Sequence, residues 1–229
     1  MPTRLQSIPP RATPVEKFMS DVIKPRLYLI TPPVAEADGL ASALRAALGA
    51  GDVACVLLRF STPDEGARKK IVKALAPVVQ GAGAALLVPD DALLAARAGA
   101  DGVHVQGLGE NFGAALESLK PERIVGVGGL ANRDEAMRAG ESDVEDLMFG
   151  ALDSGGDSAA AILERASWWA ELFNLPCVAV AHRPDEVEAL AGSGAEFVAL
   201  GPDFFADARG IAEAVAQAQA AIDRAEAKA

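Results

Sequence analysis

A chain of 229 residues is long enough for one sizeable core, and 51% hydrophobic against only 5% aromatic residues means that core is built mainly of Ala, Val and Leu, which suits close helix-on-strand packing. The formal charge of -11, with no Lys/Arg stripe interleaved with aromatics, repels a phosphodiester backbone and argues against nucleic acid as a partner. No apolar run approaches the ~18 residues of a membrane span, and the first residues lack the apolar region of a secretory signal, so a soluble, cytoplasmic protein with no membrane partner is expected.

In chain order, the proline-rich residues 1–25 read as an N-terminal extension with room for one short helix, "VEKFMSDVI". The domain proper is expected over 26–229. Strand-like runs then recur at 26–31 (RLYLIT), 53–59 (VACVLLR), 84–88 (AALLV), 102–105 (GVHV), 123–128 (RIVGVG), 145–150 (EDLMFG), 177–181 (CVAVA) and 197–201 (FVALG). Between them lie Ala-rich segments with helical spacing, such as "LASALRAALGAG" and "AAAILERASWWAELFN", and "GIAEAVAQAQAAIDRAEA" closes the chain. Repeated right-handed βα units of this number and length fill a closed (β/α)8 TIM barrel, with an open doubly wound sheet as the alternative that strand count alone leaves. Cys55 and Cys177 each sit in an apolar run without a CxxC or Cys/His cluster nearby, and read as buried structural thiols of a reducing compartment.

In such barrels the chemistry stands at the C-terminal ends of the strands. There the chain places Arg59 and Ser61 after strand two, Asp90 and Asp91 after strand three, and His104 and Gln106 after strand four. Asp153 follows strand six, His182 and Arg183 strand seven, and Asp203 strand eight. Asp90 and Asp91 suit a hard cation such as Mg2+ or, equally, the N-cap of the helix that "PDDALLAA" begins. His104 reads as a donor or general acid toward substrate, or as a half-buried histidine bonded to its neighbours. Arg59 is directed either to an anion or to a rim carboxylate such as Asp90. His182 and Arg183 precede a helix start where a phosphate could sit, although Asp185 and Glu186 already place negative charge in its first turn. Gly210, with Arg209 beside it, precedes the last helix in a similar way. Trp168 and Trp169 fall mid-helix, so one packs inward and the other faces the surface or an oligomer contact.

Taken in order, "RLYLIT", "VLLRFS", "LLVPDD", "ADGVHVQG", "IVGVGG" with "NRDEAMRAG", and "LPCVAVAHR" resemble the thiamine phosphate synthase and thiazole tautomerase family, from about Arg26 to the last helix. "ADGVHVQG" against the family's A-D-G-V-H-L-G-Q is the most specific segment. The resemblance implies a (β/α)8 barrel that joins a pyrimidine pyrophosphate to a thiazole phosphate with Mg2+, releasing pyrophosphate. It further implies Arg59 and His104 as catalytic residues, Arg59 toward the substrate, and Asp90 as the metal carboxylate; Gln106, His182, Arg183, Arg209 and Gly210 join the substrate candidates from their own places at strand ends and helix starts. Where the family has Q-L-R-E-K, this chain has Leu57-Leu58-Arg59-Phe60-Ser61, keeping the arginine without the lysine. Where it has N-D-R, Pro89-Asp90-Asp91 keeps one carboxylate. The second metal aspartate aligns near Gly109, a serine with Gly128, and the tautomerase histidine with Leu130. The loop G-P-x-x-x-T-x-T-K appears as "GALDSGGDS", and the A-I-G-G-I phosphate turn as Ala179-Val180-Ala181-His182-Arg183.

These departures fall on the charges that meet departing pyrophosphate, while strands and helices persist. Three readings follow: a synthase-like barrel that binds a small phosphorylated molecule, with the coupling activity retained or degenerate; a non-catalytic phosphorylated-ligand-binding or regulatory barrel; and another enzyme on the same scaffold. A homo-oligomer is left open.

Overall fold

The computed structural model describes residues 24–228; the helix expected in "VEKFMSDVI" lies outside them. Eight parallel strands form one closed barrel in sequential order. They are β1 (Arg26–Val34), β2 (Val53–Phe60), β3 (Ala85–Pro89), β4 (Gly102–Gln106), β5 (Ile124–Gly128), β6 (Asp146–Phe149), β7 (Cys177–Ala181) and β8 (Phe197–Leu200). Closure is made by β1 against β8, with Leu27 opposite Val198 and Leu29 opposite Leu200. That pairing settles the choice between a barrel and an open sheet in favour of the barrel.

A helix follows each strand: α1 (Asp38–Leu48), α2 (Glu65–Gln80), α3 (Ala92–Ala98), α4 (Glu110–Leu119), α5 (Arg133–Gly140), α6 (Ala159–Leu172), α7 (Val187–Ala191) and α8 (Ile211–Glu226). Short 3-10 segments, Pro184–Glu186 and Pro202–Ala206, precede α7 and α8. Side-chain oxygens of Asp64, Asp91, Asn132 and Ser158 each accept from a backbone N–H in the first turn of α2, α3, α5 and α6. These caps satisfy donors that a helix start otherwise leaves open.

Both faces of the strands are buried. Leu27, Leu29, Val56, Leu58, Val103 and Val105 point outward beneath the helices, while Tyr28, Ile30, Cys55, Leu57, Leu87, Met148, Val178, Val180 and Ala199 fill the inside. Alternation along a parallel strand therefore separates two apolar layers instead of core from solvent. Both cysteines are free and buried. Trp169 is fully buried, stacked on Phe173 at 4.0 Å and donating from Nε1 to the Leu175 carbonyl at 2.8 Å. Trp168 is half-buried, under the Arg133 guanidinium.

Strand β5 contributes two glycines to the inner layer. A Cβ on Gly126 would lie 2.9 Å from both carboxylate oxygens of Asp146, and one on Gly128 would lie 2.9 Å from Nε2 of His104. The space left by these absent side chains is what the aspartate and the imidazole occupy.

Candidate functional site

The C-terminal mouth is organised around Arg59, the inward-facing residue at the end of β2. Its backbone N–H donates to Oγ1 of buried Thr31 on β1 at 3.0 Å, which ties down the strand end. Its side chain is 17% exposed, and its guanidinium meets Asp153, in the loop after β6, through a two-point pair: Nη1 to Oδ1 at 2.5 Å and Nη2 to Oδ2 at 2.7 Å. Flat, forked pairing of this kind is the strongest contact an arginine makes with a carboxylate. Hydrogen bonding from Arg59, opposed in part by burial and assisted by the positive potential of Arg59 and His182, holds the Asp153 carboxyl below the usual carboxylate range. His182, just beyond β7, has both ring nitrogens buried without a hydrogen-bond partner among the described residues. Its ring fits because residue 201 is glycine; a Cβ there would lie 2.8 Å from Nδ1.

Beside this pair is a cleft of about 470 Å³ whose polar lining is Arg59, Gln106, Asp153, Asp157 and Arg165, with Met148 and Leu130 among its apolar walls. Asp157 and Arg165 form a second ion pair. The cleft therefore carries two cations and two carboxylates, already matched to each other. Asp157 and Arg165 were missed in the sequence because both lie beyond the strand ends, one in the loop and one on the first turns of α6.

The other expected site residues are dispersed. Asp90 has a left-handed backbone, φ 51°. Its Oδ1 accepts from the Gln106 N–H at 2.9 Å, and its own N–H donates to the His104 carbonyl at 3.0 Å. It thus clamps β3 to β4 and lines a groove between α3 and α4, away from the cleft. The partner of Arg59 is Asp153, not Asp90, and the helix cap of "PDDALLAA" is Asp91, whose Oδ1 accepts from Leu94 N at 2.8 Å. His104 is neither on the rim nor bonded to a neighbour: it is fully buried, with both ring nitrogens unpartnered, and burial drives its pKa down to about 4.

Arg183 pairs with Asp185 at 3.1 Å and Glu186 at 3.3 Å, and Arg209 pairs with Asp207 at 2.7 Å and Gln217 at 3.1 Å. Each arginine is met by its own neighbouring acid, and neither lines the cleft. Gly210 takes φ 91° at the N-cap of α8, a conformation that favours glycine whether or not a ligand is present.

Below the mouth, inside the barrel, Asp146 is a feature the sequence pattern concealed within "EDLMFG". It is buried at the start of β6 with Oδ1 unpartnered, and burial, with a smaller contribution from Glu145, pushes its pKa up to about 7. Burial likewise raises the Tyr28 phenol and the Cys55 thiol.

With this geometry in hand, comparison with known proteins gives a consistent result. Residues 27–203, from β1 to the segment after β8, match the family model described as thiamine monophosphate synthase. The chain belongs to that family. It is 39% identical over 179 residues to the thiamine-phosphate synthase of Rhodospirillum centenum, covering 76% of this chain and 86% of the relative. It is 35% identical over 211 residues to that of Erythrobacter litoralis, covering 87% and 97%. Among solved structures, the thiamine phosphate pyrophosphorylase of Pyrococcus furiosus superposes with a TM-score of 0.73 at 19% identity, over 89% of this chain and 98% of that one, and supports the fold.

Mg2+ belongs to the chemistry of the family, so the donor set bears testing. Asp90 already spends Oδ1 on a backbone N–H, and the position aligned with the second carboxylate, Gly109, is the N-cap of α4 without a side chain. No group of three or more His, Cys, Asp or Glu side chains converges among the described residues. These residues do not fit a Mg2+ site of the family kind. Among the same residues, no helix is long and apolar enough to cross a membrane.

Proposed function

We propose that this barrel binds a small phosphorylated molecule of the kind thiamine phosphate synthases handle, and that it is degenerate in the coupling of a pyrimidine pyrophosphate to a thiazole phosphate. The observation that carries the reading is the Arg59–Asp153 pair. Expelling pyrophosphate builds negative charge that must be met by fixed cations. Here the one cation retained at the end of β2 is already engaged by a carboxylate from the loop whose family counterpart carries threonines and a lysine. Removing a single preorganised donor costs about 100- to 1,000-fold in rate. The family's lysine and serine are replaced here by Ser61 and Gly128, and its second metal carboxylate by Gly109. Arg59 and Gln106, which line the cleft, remain suited to contact an anion at the mouth, with residues 1–25 as an extension to the barrel and the cytoplasm as its compartment.

The test pairs binding with turnover. A thermal-shift titration with inorganic pyrophosphate and the thiazole phosphate is expected to raise the melting temperature. Coupling in the presence of Mg2+ is expected to run at least about 1,000-fold below the Rhodospirillum centenum relative assayed alongside, from the loss of donors above. Thiamine phosphate formation within tenfold of that relative, abolished by Arg59→Ala, would defeat the proposal.

A further inference from the structure

The loop between β6 and α6 does more than lack the family's cations; it delivers an anion to the place where a ligand's anion would go. We infer that Asp153 is an internal competitor, a carboxylate that closes the Arg59 subsite and that a phosphate or pyrophosphate group must displace in order to bind. The inference rests on the reading of the mouth as a phosphorylated-ligand site, and adds to it the residue that sets its affinity.

Three observations converge. First, the geometry is that of a ligand: both oxygens of Asp153 sit on the two terminal nitrogens of Arg59, the same two-point contact that two oxygens of a phosphate make. Second, the two partners differ in exposure, the Arg59 side chain being 17% exposed and that of Asp153 66%. The cation is thus built into the barrel, whereas the anion reaches in from solvent and can leave without uncovering apolar surface. Third, the loop is set for this reach by backbone that a side chain would obstruct. Gly150 has φ 112° and would bring a Cβ within 2.8 Å of Val180, and a Cβ on Gly156 would lie 2.6 Å from that of Ala151. Asp157, four residues after Asp153, pairs with Arg165, which fixes the far side of the loop.

The thermodynamics favour exchange. A carboxylate brings one negative charge to Arg59, whereas pyrophosphate brings more than one, along with additional acceptor oxygens. The exposure of Asp153 also lets water and salt compete for its side of the pair, which lowers the cost of exchanging it for a stronger anion. Displacing Asp153 therefore reduces affinity without abolishing it.

The experiment is titration calorimetry of the full-length protein with inorganic pyrophosphate, without metal, at low salt. Wild type is compared with Asp153→Ala, Asp153→Asn and Arg59→Ala, each checked for an unchanged circular dichroism spectrum. Glu171→Gln, an exposed acid on α6 outside the cleft, controls for the loss of one negative charge. The expected result is about tenfold tighter binding for both Asp153 variants, equivalent to ~1.4 kcal/mol, little change for Glu171→Gln, and loss of binding for Arg59→Ala. Equal affinity in wild type and the Asp153 variants would overturn the inference while leaving the binding reading intact, and so would an equal gain in Glu171→Gln. Binding only after Asp153 is removed supports the inference and shows that the native mouth is shut. If neither form binds, both readings fall.

Discussion

The carboxylate of Asp146 lies against Gly126 of the adjacent strand, so closely that a Cβ at position 126 would come within 2.9 Å of both its oxygens. Gly126→Ala therefore forces a shift of a buried polar group or of the strand. A loss of about 1–3 kcal/mol is expected in denaturant unfolding, and a variant as stable as wild type would mean that Asp146 has room to rotate away.

The same aspartate makes stability depend on pH in a direction opposite to that of most carboxylates. Its folded pKa is raised to about 7 from an ordinary value of 3.8. Below 3.8 both states hold the proton and nothing is lost. Between 3.8 and 7 the unfolded chain releases it while the fold retains it, so stability falls as pH rises, and above 7 the loss is complete. Asp146→Asn is expected to remove that slope, becoming more stable relative to wild type at pH 8 than at pH 4 by a few kcal/mol on the order-of-magnitude scale of ~1.4 kcal/mol per pH unit. Parallel wild-type and Asn profiles would show that water or a counter-charge reaches the carboxylate.

His104 carries the complementary dependence. With its folded pKa near 4 against an ordinary 6.5, it charges in the unfolded chain first, so its contribution to stability is whole above 6.5 and lost as pH falls toward 4. His104→Leu should flatten this acid limb, and His104→Ala should cost about 2 kcal/mol or more by opening a cavity. Neither should alter pyrophosphate affinity by more than about threefold, because the ring is sealed inside the barrel. A tenfold weakening of binding in the Leu variant, with stability unchanged, would place His104 in contact with the ligand after all.

The contrast between Arg59 and His104 explains what could be read from the sequence. Strand and helix alternation was plain because every βα unit repeats it, and the eight runs coincide with the eight strands to within a few residues. The exception is β1, which continues past Pro32 and Pro33 with a register shift, since pairing with β2 overrides the usual reading of a proline pair as a stop. Which face each strand residue takes was not legible, because in "GVHV" both faces are buried and alternation carries no inward or outward sign. The partner of Arg59 was hidden for a different reason: Asp153 lies 94 residues away, and only barrel closure brings strand ends two and six to one mouth.

Asp90 separates structural from metal-binding roles. Its left-handed backbone and its bond to Gln106 N suit asparagine almost as well as aspartate, since both tolerate that conformation and both offer Oδ1. Asp90→Asn should therefore stay within about 0.5 kcal/mol of wild type, whereas Asp90→Ala loses the acceptor in a strained conformation and should cost about 1–2 kcal/mol. Mg2+ alone should show no submillimolar affinity in calorimetry. Submillimolar binding that disappears in Asp90→Asn would reinstate a metal site there.

The last prediction concerns Ser61, which aligns with the lysine of the family's Q-L-R-E-K segment. It is exposed just past β2, and its N–H donates to the Val34 carbonyl at 2.9 Å, so its backbone is held while its side chain is free to change. Ser61→Lys places a cation two residues from Arg59, where it supplies charge that Asp153 has not engaged. Pyrophosphate affinity is expected to rise about tenfold, equivalent to ~1.4 kcal/mol. Coupling should remain slow, because binding the anion in its ground state is not the same as meeting the charge that grows as it departs. The positions aligned with the second carboxylate and the serine are still Gly109 and Gly128, and the β6–α6 loop still presents a carboxylate. Combining Ser61→Lys with Asp153→Ala should add to binding and leave turnover within about tenfold of wild type. If Ser61→Lys alone brings thiamine phosphate formation up by 1,000-fold, the missing lysine was the whole deficit, and the barrel is an enzyme one residue from activity.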